Sequence, residues 1–355
     1  MNSTADAVVA GNGQCTLREA INNANAGAVD TTGGDCATGT VGLDAIAFNL
    51  GAGTPTISVT GPNLPFITEP VDIDGATGGA TRVELDGTAA GVGSTGLTIQ
   101  AGGSTVRSLV INRFGGNGIA LMTGGGNAVE NCYIGTDAAG TADLGNALDG
   151  VLIQTSNGNT IGGTVANTGN VISGNNSRGI EISAAATGNT VRGNYIGTNA
   201  AGTSDLGNAL DGVLIFGANN TVGGISAADR NIISGNDSNG VRLDGGVATG
   251  NTVEGNYIGT DVNGTADLGN TLDGVLIFAA SSNTVGGTIS GARNVISGNN
   301  NWGVRIVGAA SNNSIQGNYI GTNASGTAAR GNSFDGVAIY SSNNTAGGRP
   351  QEPAT

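Results

Sequence analysis

Neither lysine nor histidine occurs in the 355 residues, so all 12 cationic side chains are arginine. Proton transfer by His or Lys is therefore excluded by composition. A lyase-type base would have to be an arginine whose pKa is depressed from above about 12. Aromatic residues are scarce at 3% and charged residues at 11%. The formal net charge is −14, and no basic stripe interrupts it, which argues against nucleic acid and anionic membranes as partners. No run approaches the roughly 18 apolar residues that span a bilayer, so no membrane span is expected. Met1-Asn2-Ser3-Thr4 reads as a mature terminus behind an added start Met. Cysteine is limited to Cys15, Cys36 and Cys132, one N-terminal pair with one left over, which fits an oxidising compartment. Glycine is abundant at 67 residues, but 6 prolines and the lack of a Gly-X-Y period exclude collagen.

What is present is a repeat. Gly-Val-Leu-Ile or a close variant begins at Gly150, Gly212, Gly274 and Gly336, and Tyr-Ile-Gly-Thr begins at Tyr133, Tyr195, Tyr257 and Tyr319, each step being 62 residues. The unit divides again. Strand-opening glycines at Gly118, Gly150, Gly179, Gly212, Gly240, Gly274, Gly303 and Gly336 alternate long steps of 32 to 34 with short steps of 28 or 29 residues. Each step holds three short strand-like pieces, Gly-Val-x-Ile, Asn-Thr-Val and Asn-x-Ile, separated by Gly- and Asn-rich corners. The expected fold is all-β, a right-handed parallel β-helix with three strands per coil and about ten coils.

Alternation places Val151, Ile153, Ile180, Ile182, Val213, Ile215, Val241 and Leu243 inward. Asn159, Asn189, Asn220, Asn251, Asn283 and Asn313 form one corner column, and Asn170, Asn194, Asn231, Asn256, Asn294 and Asn318 a second, as stacked amide ladders. Cys132 begins the second column and is expected to be a buried, inert thiol. Twelve residues separate Asp137 from Gly150 but three separate Asn175 from Gly179. The nine-residue excess is assigned to the stretch Ala138 to Asp149 and its copies, with one coil of each pair carrying extra residues on one edge.

An exposed solenoid end needs a cap. Thr16-Leu17-Arg18-Glu19 is a capping box that predicts a short helix ending at Gly27, with Leu17, Ile21 and Ala24 on its covering face. Cys15 and Cys36 flank that helix and are placed to staple it by a disulfide. The chain thus divides into a cap (1–40), irregular first coils (41–117), the two-coil repeats (118–345) and a tail or truncated coil (346–355). It stops mid-coil after Arg349-Pro350-Gln351-Glu352-Pro353, which reads as a fragment of something longer or as a subunit that self-associates end to end, as in a filament.

Cys15-Thr16-Leu17-Arg18-Glu19-Ala20-Ile21, preceded by Asn2-Ser3-Thr4-Ala5-Asp6, resembles the CSLREA motif that opens many secreted or surface-anchored bacterial β-helix repeat proteins. The downstream Ile-Gly-Thr-Asp, Leu-Gly-Asn and Asp-Gly-Val phrases resemble the same proteins over most of the chain. The resemblance implies an extracellular or bacterial cell-surface location and an undefined activity, with some β-helix relatives acting on polysaccharides.

The outward positions of the Gly-Val-x-Ile strand supply the ligand-binding candidates. Phe216, Phe278 and Tyr340 recur every two coils, about 9.6 Å apart at the usual strand spacing, with Arg242, Arg305 and Asp244 between them. Rings stacked on sugar faces beside hydrogen-bonding charges suit a polysaccharide lying along the axis. The competing expectation is that Leu144, Leu148, Leu206, Leu210, Leu268 and Leu272 fold over the stripe and bury it, and a third is a patch for a surface protein. Trp302, outside the period, is either a ligand platform or a solvent-facing corner.

Asp137 and Asp143, with Asp261 and Asp267 two coils pairs on, are candidate Ca²⁺ ligands. Asp137 and Asp261 share a column with Asn175, Asn199, Asn236, Asn299 and Asn323, and Ala329 replaces Asp143, so a turn-forming role is favoured and no cofactor is expected. Catalysis by two carboxylates has one candidate set, Glu181 with Asp149 or Asp211. The favoured reading is a non-catalytic spacer or adhesin-like module that binds polysaccharide along one face. A polysaccharide lyase or glycoside hydrolase of the β-helix type is the alternative.

Overall fold

The structure is a computed structural model that describes residues 1–61, 63–165 and 168–347. The sequence reading of the tail at 346–355 falls largely outside the described residues. The chain winds as a parallel β-helix whose strands stack into three sheets of eleven, ten and nine strands. The first sheet runs from Asp44–Ala47 to Thr345–Ala346, the second from Thr56–Ser58 to Tyr319–Ile320, and the third from Leu97–Ile99 to Val337–Ile339. Consecutive members of each sheet come from consecutive coils and pair in parallel, as Val151–Ile153 does with Ile180–Ile182. Strands of two to four residues are too short to persist alone, so each coil depends on its neighbours. Residues 41–117 already supply strands to the same sheets, although third-sheet pairing starts only with a bridge from Ile67 to Ile99.

The alternating positions read as inward are all buried: Val151, Ile153, Ile180, Ile182, Val213, Ile215, Val241 and Leu243 have no exposed surface. The polar corners between sheets are satisfied by amide ladders. In the column before the first sheet, Asn159 Nδ2 donates to Asn189 Oδ1 at 2.7 Å and Asn251 Nδ2 to Asn283 Oδ1 at 3.0 Å, and the column extends to Asn127 and Asn344. Between the first and second sheets Asn170, Asn194, Asn231, Asn256, Asn294 and Asn318 do the same, and the Cys132 amide donates into the head of that column at 2.8 Å. Burial pushes the Cys132 thiol up to about 12, so it stays protonated and unreactive.

A third ladder was not foreseen. Asn146, Asn175, Asn208, Asn236, Asn270, Asn299 and Asn332 stack between the second and third sheets, each amide donating to the next at 2.9 Å. This corrects two readings. Asn175, Asn236 and Asn299 do not share a column with Asp137, Asn199, Asp261 and Asn323. The nine-residue excess also ends before Asn146 rather than before Gly150, because Gly145-Asn146 and Gly174-Asn175 are equivalent corners. The inserted residues form small hairpins, closed by antiparallel bridges from Thr136 to Asp143, Thr198 to Asp205, Thr260 to Asp267 and Thr322 to Ala329.

The plain coils are not plain either. Between the first and second sheets Gly162 and Asn170 are separated by seven residues, whereas Arg192 and Asn194 are separated by one. Their six-residue insertions carry one-turn 3₁₀ helices at Ala227–Asp229 and Ser290–Ala292. Removing nine residues from a 32-residue coil and six from a 29-residue coil leaves the same coil of 23.

The cap follows its sequence. The helix Leu17–Asn25 is opened by Thr16, whose hydroxyl accepts from the Glu19 amide while Glu19 Oε2 accepts from the Thr16 amide at 3.0 Å. Leu17, Ile21 and Ala24 are buried against the first coil. Asn25 ties the helix to that coil, donating to the Phe66 carbonyl at 2.7 Å and accepting from the Thr68 amide at 2.8 Å. Cys15 and Cys36 are joined in a disulfide. Among the described residues no helix is long and apolar enough to cross a membrane.

Candidate functional site

The outer face of the third sheet brings the sequence candidates together in register. Thr98, Ala120, Leu152, Glu181, Leu214, Arg242, Leu276, Arg305 and Ala338 follow one another along the axis. Asp244, Phe278 and Val307 are neighbours in the next column. Leu214 and Leu276 are buried, but the rings are not all covered: Phe278 is 42% exposed and Tyr340 65%, with Phe216 half-buried. Leu148, Leu210 and Leu272 are themselves exposed, so these inserted-coil leucines do not seal the stripe.

Each arginine of this face is held by an aspartate. Arg242 binds Asp244 directly and lies 5.9 Å from the Phe278 ring centre. Arg305 donates from Nε to the fully buried Asp273 at 2.7 Å and lies 4.6 Å from the Trp302 ring. Trp302 stacks on Phe334 with ring centres 5.1 Å apart, and Phe334 is 60% exposed, so the non-periodic tryptophan belongs to an open aromatic platform. Phe334 was missed in the sequence. Its signal is its position, the one occupied by Leu148, Leu210 and Leu272 in earlier coils.

Asp149, Asp211 and Asp273 carry a structural duty at the entrance to this sheet. Asp149 Oδ1 accepts from the Arg178 amide at 3.0 Å, Asp211 Oδ1 from the Asn239 amide at 3.0 Å, and Asp273 Oδ1 from the Trp302 amide at 3.3 Å. Asn117 and Asn239 fill the alternate positions and accept from the amides of Asp149 and Asp273. From Asn117 to Asp335, Arg178 and Trp302 are the two places where this column departs from Asn or Asp. Arg178 then bridges Glu181 at 2.8 Å and Asp149 at 3.7 Å. Burial, and next the Asp149 charge, raise the Glu181 carboxyl above the usual glutamate range, against the opposing pull of Arg178. Asp211 follows Arg178 in the column, but its carboxylate is taken up by Ser238 and Asn239 of the next coil.

The loop aspartates close the hairpins. Asp137 Oδ1 accepts from the Thr141 amide at 2.7 Å and the Ala142 amide at 3.0 Å, and Asp261 repeats the pair with Thr265 and Ala266. Asn199 and Asn323 make the same two bonds with neutral amides, so the geometry needs an acceptor and no charge. Burial alone would raise Asp137 and Asp261, but these backbone N–H donors outweigh it and hold both carboxyls below the usual range. Asp143 and Asp267 accept from the Gly145 and Gly269 amides. Among the described residues no three Cys, Asp or Glu side chains gather as a metal-binding set.

No protein-family model and no curated protein sequence matches the chain. Solved structures are similar in fold. A Geobacillus virus E2 protein superposes with a TM-score of 0.54 at 13% identity, covering 92% of this chain and 57% of the viral one. The chain thus spans little more than half of that relative. A periplasmic alginate epimerase covers 86% of this chain and 78% of its own, with a TM-score of 0.48 and 12% identity. The A-module of an Azotobacter vinelandii mannuronan C-5 epimerase covers 93% and 94%, with a TM-score of 0.46 and 14% identity. At these identities the likeness is one of fold alone, and the class it defines is the parallel β-helix.

Proposed function

We propose that this chain is a non-catalytic extracellular β-helix module that holds an extended polysaccharide along the outer face of its third sheet. The observation that carries the reading is the open aromatic series Phe278, Tyr340 and the Trp302–Phe334 stack, aligned with the coil axis and interleaved with arginines already oriented by Asp244 and Asp273. Rings so placed present flat apolar faces to sugars, while the fixed guanidiniums offer donors to hydroxyls. The Cys15–Cys36 disulfide supports an oxidising, extracellular setting, as does the resemblance of residues 15–21 to the CSLREA motif. Glycan-array binding tests it: Phe278→Ala with Tyr340→Ala is expected to weaken binding at this face at least tenfold, and an unchanged profile would overturn it.

The alternative, a carbohydrate-active enzyme, draws on the raised Glu181 carboxyl beside Asp149. Arg178 spans those two carboxylates and occupies the space between them, which favours an ion-paired structural group. Sugar release or an unsaturated product that Glu181→Gln abolishes would replace the non-catalytic reading.

A further inference from the structure

A second row of rings runs along the outer face of the second sheet. Tyr133, Tyr195, Tyr257 and Tyr319 recur every two coils, with Val171, Ile232 and Val295 paired in register between them. The hairpins stand at one margin of this face and the six-residue insertions at the other. The hairpins also join one another: the amides of Ala200, Val262 and Ala324 donate to the carbonyls of Gly140, Gly202 and Gly264 at 2.8, 2.8 and 2.9 Å. That margin is therefore a continuous wall. Gly202 is required there, since it has φ +66° and a Cβ would come within 2.6 Å of Tyr195 and 2.9 Å of Val262.

The charges of this face differ from those elsewhere. Among the described residues, Arg18, Arg107, Arg113, Arg178, Arg192, Arg242 and Arg305 pair with carboxylates. Arg82, Arg230, Arg293 and Arg330 do not. Their hydrogen bonds go to neutral groups, Asn131 for Arg82 and the carbonyls of Gly255, Gly317 and Thr265 for the others. Three of them lie over tyrosines: Arg82 at 3.8 Å from the Tyr133 ring centre, Arg230 at 4.1 Å from Tyr257 and Arg293 at 4.0 Å from Tyr319. Asp229, adjacent to Arg230, instead faces Arg192 at 3.7 Å and accepts from the Ser226 amide.

The period breaks at Tyr195. Arg230 and Arg293 directly precede the ladder residues Asn231 and Asn294, but Gly169 precedes Asn170, and among the described residues no guanidinium covers the Tyr195 ring. A cavity of about 630 Å³ opens there, bordered by Tyr133, Tyr195, Arg82, Arg230, Val171 and Ile232. Its volume lies within the range of ligand pockets.

We infer that this cavity is a second saccharide site, one that takes an anionic polysaccharide. The sugar ring stacks on Tyr195 over the apolar floor of Val171 and Ile232. Arg82 and Arg230 lie over Tyr133 and Tyr257, four strands or about 19 Å apart along the axis. Each holds the carboxylate or sulfate of a different sugar of the same chain, one on either side of Tyr195, and their planar donors suit either oxyanion. A surface with net charge −14 repels a polyanion in general, and this cavity is bordered by two guanidiniums that pair with no carboxylate among the described residues. The site lies on a different sheet from the proposed aromatic stripe and stands or falls apart from it.

Affinity electrophoresis through alginate, polygalacturonate and chondroitin sulfate tests the inference and separates carboxylate from sulfate recognition. One variant is Arg82→Gln with Arg230→Gln. A second exchanges residues 163–169 for the sequence of residues 224–230, an equal-length loop that brings Arg to position 169 and fills the cavity. All the proteins compared also carry Phe278→Ala and Tyr340→Ala, so that the retardation read is that of this cavity and not of the third-sheet face. The parent with those two substitutions alone is expected to be retarded by at least one of the three, and both variants to bind it at least tenfold more weakly while keeping the parent's melting temperature. Lack of retardation of the parent in all three gels, or parental retardation of either variant, would overturn it.

Discussion

The outer faces of the second and third sheets carry the same kinds of side chain, an aromatic ring every two coils with an arginine beside it. They differ in what holds the arginine. On the third sheet Asp244 and Asp273 neutralise Arg242 and Arg305, and the rings of Phe278, Tyr340 and Phe334 stand open. On the second sheet Arg82, Arg230 and Arg293 have only carbonyl, amide and ring partners among the described residues, and Tyr133, Tyr257 and Tyr319 lie beneath them. A paired guanidinium offers hydrogen-bond donors with little net field, whereas an unpaired one also offers charge. One scaffold thus presents a nearly neutral aromatic stripe and a cationic groove, and they are separable by charge.

The largest effect should come from what both faces share. Asn236 sits in the third ladder, donating to Asn270 and accepting from Asn208, both at 2.9 Å. Asn236→Ala strands buried donors and acceptors on two neighbouring coils, a loss of about 3 kcal/mol, measurable by urea denaturation. A loss confined to one face, with the other unaltered in ligand binding, would show that the coils are less tightly coupled than the ladders indicate.

Ionic strength should split the two faces more gently. Binding of an acidic polysaccharide in the Tyr195 cavity should weaken several-fold between about 50 and 200 mM salt, since exposed charges are screened over a Debye length near 10 Å. Binding at the Phe278 and Tyr340 stripe should change little over the same range. Equal salt slopes would erase the distinction drawn from the ion pairs.

The smallest effect concerns Glu181. Its carboxyl is raised above the ordinary glutamate value, first by burial and then by Asp149. The folded state therefore binds its proton more readily than the unfolded state does. The Glu181 contribution penalises folding above the raised pKa, and stability from this group increases as pH falls through that window towards the unfolded value. Glu181→Gln should remove this pH-dependent part, seen as a flatter difference in melting temperature between neutral and mildly acidic pH. A wild type that loses stability relative to Glu181→Gln as pH falls through that window would reverse the sign.

The stacked sheets were legible because the alternation of inward residues such as Val213 and Ile215 recurs in every coil. The first two amide ladders were legible for the same reason. The third was obscured because the hairpin displaces Asn146 along the chain from the Ile134 that precedes its corner, so Asp137 took its place in the column. The six-residue insertions escaped notice because both coil types carry an insertion and the 32- and 29-residue coils differ by only three. At the third-sheet face, registry alone found Phe278, Tyr340, Arg242 and Arg305. Registry could not show that Asp273 reaches Arg305 or that Phe334 lies on Trp302, which depend on side-chain reach between coils. The tyrosine row was visible as a repeat, but Arg82 meets Tyr133 from 51 positions away, and only the arginines preceding Asn231 and Asn294 hinted at the pattern.

The most direct measurement uses the chain carrying Arg82→Gln and Arg230→Gln, so that the cationic groove is silent, on a glycan array with and without Phe278→Ala and Tyr340→Ala. Binding that persists in the first protein and falls at least tenfold in the second is the expected result. The same glycan profile from both, or no glycan bound by the first, would contradict polysaccharide binding at the third-sheet face.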